Sequence, residues 1–132
     1  MLNKIIFAID NDCDLHTVAK FLRHIDTERV MGNIKGSFIK CIGCYEGTLE
    51  NSYIMDERDY REFVEAMGYT AHQESILHVP ADTRQPCTLE FKDKTSVTLG
   101  QMRELNKSEV IREGVFGSWT YVPRTDTYWG TD

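Results

Sequence analysis

A short segment in the middle of the chain gathers residues suited to holding a polar ligand. Two tyrosines, two carboxylates, an amide and a hydroxyl surround one turn, in the order Gly43-Cys44-Tyr45-Glu46-Gly47-Thr48-Leu49-Glu50-Asn51-Ser52-Tyr53. On the first strand, alternation places Tyr45 and Cys44 on opposite faces. On the next strand, it places Glu50 and Tyr53 on opposite faces. Because the turn is short, Tyr45 and Glu50 are expected within reach of one ligand. The alternative is that Tyr45 is a half-buried strand aromatic and Glu50 a solvated edge carboxylate.

A second polar group precedes a later apolar strand. Gln73, Glu74 and Ser75 lead directly into Ile76 and Leu77. Alternation puts Glu74 on the same face as Ile76, opposite Ser75 and Leu77. The carboxylate is expected either to hold a polar ligand group or to bond to backbone at an interface. The alternative is a surface residue at the end of the sheet.

The four cysteines are expected to be free thiols. They are Cys13, Cys41, Cys44 and Cys87, and no secretory signal precedes them. Cys41 and Cys44 form a C-x-x-C, which is found in redox pairs and in zinc sites. A turn and another strand follow Cys44, and no second ligand pair completes a zinc site. Residues three apart on a strand also point to opposite faces. Buried structural cysteines are therefore the favoured interpretation.

The histidines predict no metal site. His72 and His78 are six residues apart, too far for a shared metal without a third ligand, and His16 and His24 are expected on the surface of the first helix. The sequence also has no glycine-rich phosphate loop, nucleophile elbow or H-E-x-x-H motif.

Length and composition indicate one folded domain. The chain has 132 residues, of which 41% are hydrophobic and 27% charged, so residues 1–132 are expected to share one core. The sequence contains no run of 18 apolar residues, so no membrane-spanning helix is predicted. The first residues lack the apolar stretch of a signal peptide, which predicts a cytoplasmic protein. Fifteen Lys and Arg against 21 Asp and Glu give a net charge of −6 without a basic run, which argues against nucleic-acid binding.

The hydrophobic pattern predicts the elements that position these residues. Strands are expected at 4–9, 37–45, 49–55 and 73–79. Helices are expected after Asp12 or Asp14 and after Asp56, the second ending at Gly68. Further on, the pattern predicts a hairpin over 88–99, a short helix over 101–112 and a last hairpin over 117–129. The order strand, helix, strand, strand, helix, strand predicts an α+β class: a ferredoxin-like β-α-β-β-α-β core, an antiparallel sheet with helices on one face, plus C-terminal hairpins.

The two polar groups resemble a known enzyme family, the small S-adenosylmethionine-degrading enzymes of tailed bacteriophages, described first as hydrolases and later as lyases. The similarity lies in Gly43-Cys44-Tyr45, in Glu50 on the following strand, in Gln73-Glu74-Ser75-Ile76-Leu77 after a helix, and in Thr88-Leu89-Glu90-Phe91. It covers roughly residues 36 to 92. The turn between Tyr45 and Glu50 is shorter than the family's hairpin.

The resemblance implies a ferredoxin-like subunit that assembles as a homotrimer, with active sites between subunits. It also implies a reaction without metal or cofactor, in which the carboxylate of S-adenosylmethionine attacks its own γ-carbon to give 5′-methylthioadenosine and L-homoserine lactone, or in which hydrolysis gives homoserine. Tyr45 and Glu50 would then be catalytic. Tyr53, Gln73, Glu74 and Ser75 would bind substrate. A phage-encoded enzyme of this kind would act in the host cytoplasm, where loss of the methyl donor blunts methylation-dependent restriction.

Two other classes of function stay open on the residues alone. A non-catalytic phage or bacterial protein would use the same sheet to bind a small nucleotide-like ligand or to inhibit a host enzyme, and its acidity suits docking onto a basic protein. A thiol protein would use the C-x-x-C. Product analysis separates the first from the lyase, and thiol titration with zinc analysis tests the second.

Overall fold

The computed structural model describes residues 3–8, 15–45, 48–64, 66, 75–113 and 118–131. The elements within those ranges are, in chain order, β1 (Lys4–Ala8), α1 (Leu15–Val30), β2 (Phe38–Tyr45), β3 (Thr48–Asp56), α2 (Glu57–Asp59), a π-helical segment (Tyr60–Val64), β4 (Ser75–Val79), β5 (Thr88–Phe91), β6 (Ser96–Thr98), β7 (Met102–Leu105), α3 (Lys107–Glu113), β8 (Trp119–Val122) and β9 (Thr127–Thr131).

All the described strands belong to one curled antiparallel sheet. Its order is β6-β5-β4-β1-β3-β2-β8-β9-β7. Near the middle of the sheet, β1 pairs with β3 on one side and with β4 on the other, and β2 links the β3 hairpin to β8. Strands from the last third of the chain therefore extend the sheet at both edges.

The predicted fold class is wrong. The structure is mostly antiparallel β with a nine-stranded sheet among the described residues and few short helices, in place of a ferredoxin-like α+β core with separate C-terminal hairpins. The β5–β6 hairpin continues the sheet beyond β4, and the β8–β9 hairpin continues it beyond β2. Hydrophobic periodicity identifies strands, but it does not tell which distant strands pair.

The core lies between α1 and one face of the sheet, which we call the α1 face. Alternate residues of β1 and β3 point to this face, and Phe21 and Ile25 from α1 are fully buried against them. Tyr53 stands at the centre, because its ring stacks on Phe38 at 5.4 Å and lies 5.6 Å from Phe7. Aromatic pairs of this kind add stability beyond the area they bury.

The second predicted helix is also different from the expectation. Within the described residues it consists of the three residues of α2 and the π-helical segment, and its predicted end at Gly68 lies outside them. Asp56 precedes α2 but makes no side-chain capping bond, since its carboxylate pairs with Lys4.

The buried carboxylate of Asp59 accepts hydrogen bonds from the backbone N–H groups of Lys35 and Gly36. A Cβ at Gly36 would lie 1.7 Å from Asp56 Oδ2, so this close approach requires glycine.

The predicted helix over 101–112 is half right. Its first part forms β7, which pairs with β9, and α3 begins only at Lys107. Met102, Arg103, Glu104 and Leu105 are good helix formers, and strand pairing overrides this preference. No helix among the described residues is long and apolar enough to cross a membrane.

Candidate active site

The β2–β3 hairpin brings the backbone positions of Tyr45 and Glu50 to one face of the sheet. Glu50 pairs with Gly43, and Tyr45 pairs with Thr48. Facing residues of an antiparallel pair share a face, and the side-chain period is two, so all four positions lie on the same side. Tyr45 and Glu50 are thus diagonal neighbours, with Cα atoms roughly 7–8 Å apart. We call this side, opposite the α1 face, the Glu50 face.

Small residues surround Glu50 on this face. Gly43 lies directly across from it, and the neighbouring pair along the hairpin is Cys41 with Ser52, both buried. The Ser52 hydroxyl donates to the Glu50 carbonyl at 3.5 Å. A Cβ at Gly43 would lie 2.9 Å from Ser52 Oγ. The Ser52 hydroxyl therefore already occupies the space above Gly43, and a larger side chain at this position would have to displace it.

Tyr53 lies on the other side of the same strand. It is 4% exposed and packs among the aromatic rings of the α1 core. Burial is the main reason that the pKa of its phenol is raised. The structure thus does not bring Tyr53 to the side of β3 that carries Glu50, in keeping with the alternation expected from the sequence.

Ser75 lies on the Glu50 face at the same end of the sheet. The pairs between β1 and β4 run from Lys4 with Val79 to Ile6 with Leu77, and continuing this register sets Ser75 level with Ala8. Ala8 in turn pairs with Ser52. Two strand spacings therefore separate Ser75 from Ser52, about 10 Å. Gln73 and Glu74, which immediately precede Ser75 in the chain, lie outside the described residues.

Trp129 is a candidate that the sequence reasoning missed. The register links Glu50 to Gly43, Gly43 to Thr120 and Thr120 to Trp129, so one cross-strand row on the Glu50 face runs from the carboxylate to an indole. Only glycine and threonine separate them. The indole is half-buried, and its Nε1 donates to Thr127 at 2.9 Å. An aromatic residue in the last strand was the available signal, but its pairing with this row depends on contacts distant in sequence.

The redox or zinc site that the C-x-x-C left open as an alternative has no support in the described residues. Cys41 and Cys44 are buried thiols, and as residues three apart on β2 they face opposite sides of the sheet. Burial raises the pKa of the Cys41 thiol to about 12, so little reactive thiolate exists at neutral pH. Cys13 and His72 lie outside the described residues. Among the residues the structure does describe, no three His, Cys, Asp or Glu side chains are grouped to hold a metal ion.

Comparison with known proteins identifies the family of this chain. No curated protein matches the chain significantly. The model of the S-adenosylmethionine lyase family matches residues 11–132, which include both strands of the β2–β3 hairpin and the β8–β9 hairpin that carries Trp129. Because this match spans most of the sequence, the chain belongs to the S-adenosylmethionine lyase family.

Proposed function

We propose that the protein cleaves S-adenosylmethionine within the substrate itself. An oxygen of the substrate carboxylate forms a bond to the γ-carbon, the bond from that carbon to sulfur breaks, and sulfur keeps the electron pair. The products are 5′-methylthioadenosine and L-homoserine lactone, and no proton, metal or cofactor enters the balance. The supporting observation is the hairpin register that sets Tyr45 and Glu50 on one face, in a chain of the lyase family.

The proposed mechanism consists mainly of positioning. A sulfonium is already a good leaving group, so the protein has to fold the methionine tail until the carboxylate oxygen and the γ-carbon meet in line. Holding two reacting groups in this geometry is worth about 7–11 kcal/mol of barrier in favourable cases. Such a site requires a group that fixes each end of the tail.

Glu50 and Tyr45 are the proposed catalytic pair. The Glu50 carboxylate binds the α-ammonium of the substrate through a charge-assisted hydrogen bond, which leaves the substrate carboxylate free to attack. The Tyr45 hydroxyl orients that carboxylate, and the tyrosine ring attracts the sulfonium as aromatic rings attract other cations.

The remaining residues are proposed either to bind the substrate beside this pair or to support the pair from the core. Ser75, on the Glu50 face, and the preceding Gln73 and Glu74 bind polar groups of the substrate. Tyr53, first expected to contact substrate, is proposed instead to fix β3 from the core, since its ring is buried against Phe38. Trp129 stacks on the adenine, because the row from Glu50 passes over two small residues before it reaches the indole.

We further propose a homotrimer with sites between subunits, acting in the cytoplasm, and in the host cytoplasm if a phage encodes it. Half-buried apolar side chains on the Glu50 face support an interface there: Ile6, Ile39, Ile54, Leu77 and Leu89. Burying such a face against another copy is favourable at about 25 cal/mol per Å². Sedimentation analysis tests the assembly: a trimeric mass is expected, and a monomer with full activity contradicts it.

Product analysis tests the activity. Purified protein is incubated with S-adenosylmethionine, and products are separated by chromatography and identified by mass. Methylthioadenosine with lactone appearing before homoserine is expected. The Glu50→Gln variant should lose this turnover, whereas Glu62→Gln, which changes an exposed carboxylate of the π-helical segment, should keep it. A thermal shift with S-adenosylmethionine but no product in the unmodified protein would refute catalysis and favour the non-catalytic binding protein.

A further inference from the structure

The row that joins Glu50 to Trp129 continues onto the edge strand of the sheet. Glu104 of β7 pairs directly with Trp129 of β9. Facing residues of an antiparallel pair share a face, so Glu104 also lies on the Glu50 face. From one end to the other, the row then consists of Glu50, Gly43, Thr120, Trp129 and Glu104. A carboxylate stands at each end, and four strand spacings, roughly 19 Å, separate the two.

The Glu104 carboxylate is exposed, and the cations that adjoin it in sequence have other partners. Arg103 lies on the opposite face of β7, where it contacts Glu109 at 3.1 Å. Lys107, at the start of α3, contacts Asp126 at 2.8 Å. Within the described ranges, no side chain forms a hydrogen bond or an ion pair with Glu104. Since β7 is the last strand of the described sheet, a ligand can reach this carboxylate from solvent.

The indole beside Glu104 is held by hydrogen bonds along its own strand. Trp129 Nε1 donates to Thr127 Oγ1 at 2.9 Å, and that oxygen lies 2.6 Å from Thr125 Oγ1. Thr127 is two residues before Trp129 on β9 and therefore shares its face. Aromatic side chains are platforms on which bases stack. Because facing Cβ atoms lie about 4.5–5.5 Å apart, Glu104 sets a hydrogen-bond acceptor beside this platform.

The order of the row decides which part of the substrate Glu104 can reach. In the proposed function, Glu50 binds the α-ammonium and Trp129 stacks on the adenine. Glu104 lies one strand further from Glu50 than Trp129 does, so it faces the part of the purine farthest from the methionine tail. That part is the edge with the 6-amino group, which is a hydrogen-bond donor. A carboxylate accepts hydrogen bonds and donates none, which matches an amino group and not the 6-oxo group of hypoxanthine.

We propose that Glu104 is a specificity-determining residue that accepts a hydrogen bond from the 6-amino group of the adenine. It thereby selects a 6-amino purine over a 6-oxo purine. This inference rests on the proposed function, because that function places the adenine on Trp129. Water competes for an exposed carboxylate, so the discrimination should be about 10-fold, well below the ratios reached by enclosed sites that bind a substrate N–H group.

Steady-state kinetics with two substrates tests the proposal. S-inosyl-L-methionine carries a 6-oxo group in place of the 6-amino group, and kcat/KM should be about 10-fold higher for S-adenosylmethionine, which is 1.4 kcal/mol. The amide of Glu104→Gln can accept from the amino group or donate to the oxo group, so the preference should fall to about twofold or less. Glu62→Gln, the same change at an exposed carboxylate of the π-helical segment, should keep the preference. An unchanged preference in Glu104→Gln would overturn the assignment.

Binding of the nucleoside product separates this inference from the proposed reaction. Calorimetric titration with 5′-methylthioadenosine and with 5′-methylthioinosine measures the same preference without turnover. Tighter binding of the adenosine compound, with the preference lost in Glu104→Gln, would support the contact even if no S-adenosylmethionine is cleaved. Turnover with a preference that Glu104→Gln does not alter would keep the reaction and refute the contact. If neither turnover nor saturable binding of either nucleoside occurs, both proposals fail.

Discussion

The two faces of β3 have completely different surroundings. One face carries the aromatic Tyr53 and the other carries the acidic Glu50. Tyr53 is buried among aromatic rings under α1, whereas Glu50 is half-buried beside a glycine and a serine. Strand alternation alone puts these two side chains on opposite faces of the sheet. The comparison shows that closeness in sequence to a candidate catalytic residue is weak evidence for a role in binding.

Removing the Tyr53 ring should have the largest effect, and it should be on stability. Tyr53→Ala leaves a cavity between β3 and α1, so the free energy of unfolding should fall by about 3–5 kcal/mol. Chemical denaturation measures it. Tyr53→Phe keeps the ring and should cost about 1 kcal/mol or less. A loss below about 1 kcal/mol in the alanine variant would mean that the two faces are not as different as described.

Changing the proposed catalytic pair should affect turnover and leave stability nearly intact. Glu50→Gln and Tyr45→Phe should each lower kcat by about 100-fold or more, the scale for a group acting in the transition state. Steady-state kinetics with circular dichroism melting checks both properties in one preparation. Near-normal turnover in both variants would remove their assigned roles.

The Trp129 variant tests whether the proposed substrate site extends along the Glu50 face as far as β9. Trp129→Ala should raise KM for S-adenosylmethionine about 10-fold with kcat changed by less than about twofold, since stacking on a base is worth about 1–3 kcal/mol. Trp119 neighbours Cys44 in the register and therefore lies on the α1 face, so Trp119→Ala is the matched control. A similar rise in KM for both variants would argue against a specific adenine contact.

Adding a methyl group at Gly43 should have the smallest effect on stability. Gly43→Ala brings a methyl group against Ser52 Oγ, which can rotate away, so the cost should be below about 1 kcal/mol. Ser52→Ala should relieve it in the double variant, as measured by a double-mutant cycle of unfolding free energies. Additive losses would show that the two side chains do not meet.

Local sequence patterns predict much of the secondary structure and part of the site. They place β2, β3, the last two hairpins and α1, and they assign opposite faces to Tyr45 and Cys44, as the register confirms. They fail where distant pairing decides. The segment at Met102 becomes a strand because it pairs with β9, and the sheet grows to nine described strands because β8 pairs with β2.

The site shows the same limit. Glu50 and its glycine neighbour lie on one hairpin, so a short stretch of sequence suggests them. Trp129 joins their row only through β8 and β9, which no local period encodes. The carboxylate of Asp59, at the end of α2, likewise accepts from the backbone N–H of Gly36, a contact between residues distant in sequence.

Isotope labelling of the product tests the central claim most directly. The reaction is run in H₂¹⁸O until homoserine accumulates, and the position of the label is read by fragment masses. If the substrate carboxylate attacks the γ-carbon, water enters only when the lactone opens, so ¹⁸O is expected in the carboxylate of homoserine. Label in the γ-hydroxyl would show that water attacks the carbon directly, and would contradict the proposed intramolecular reaction.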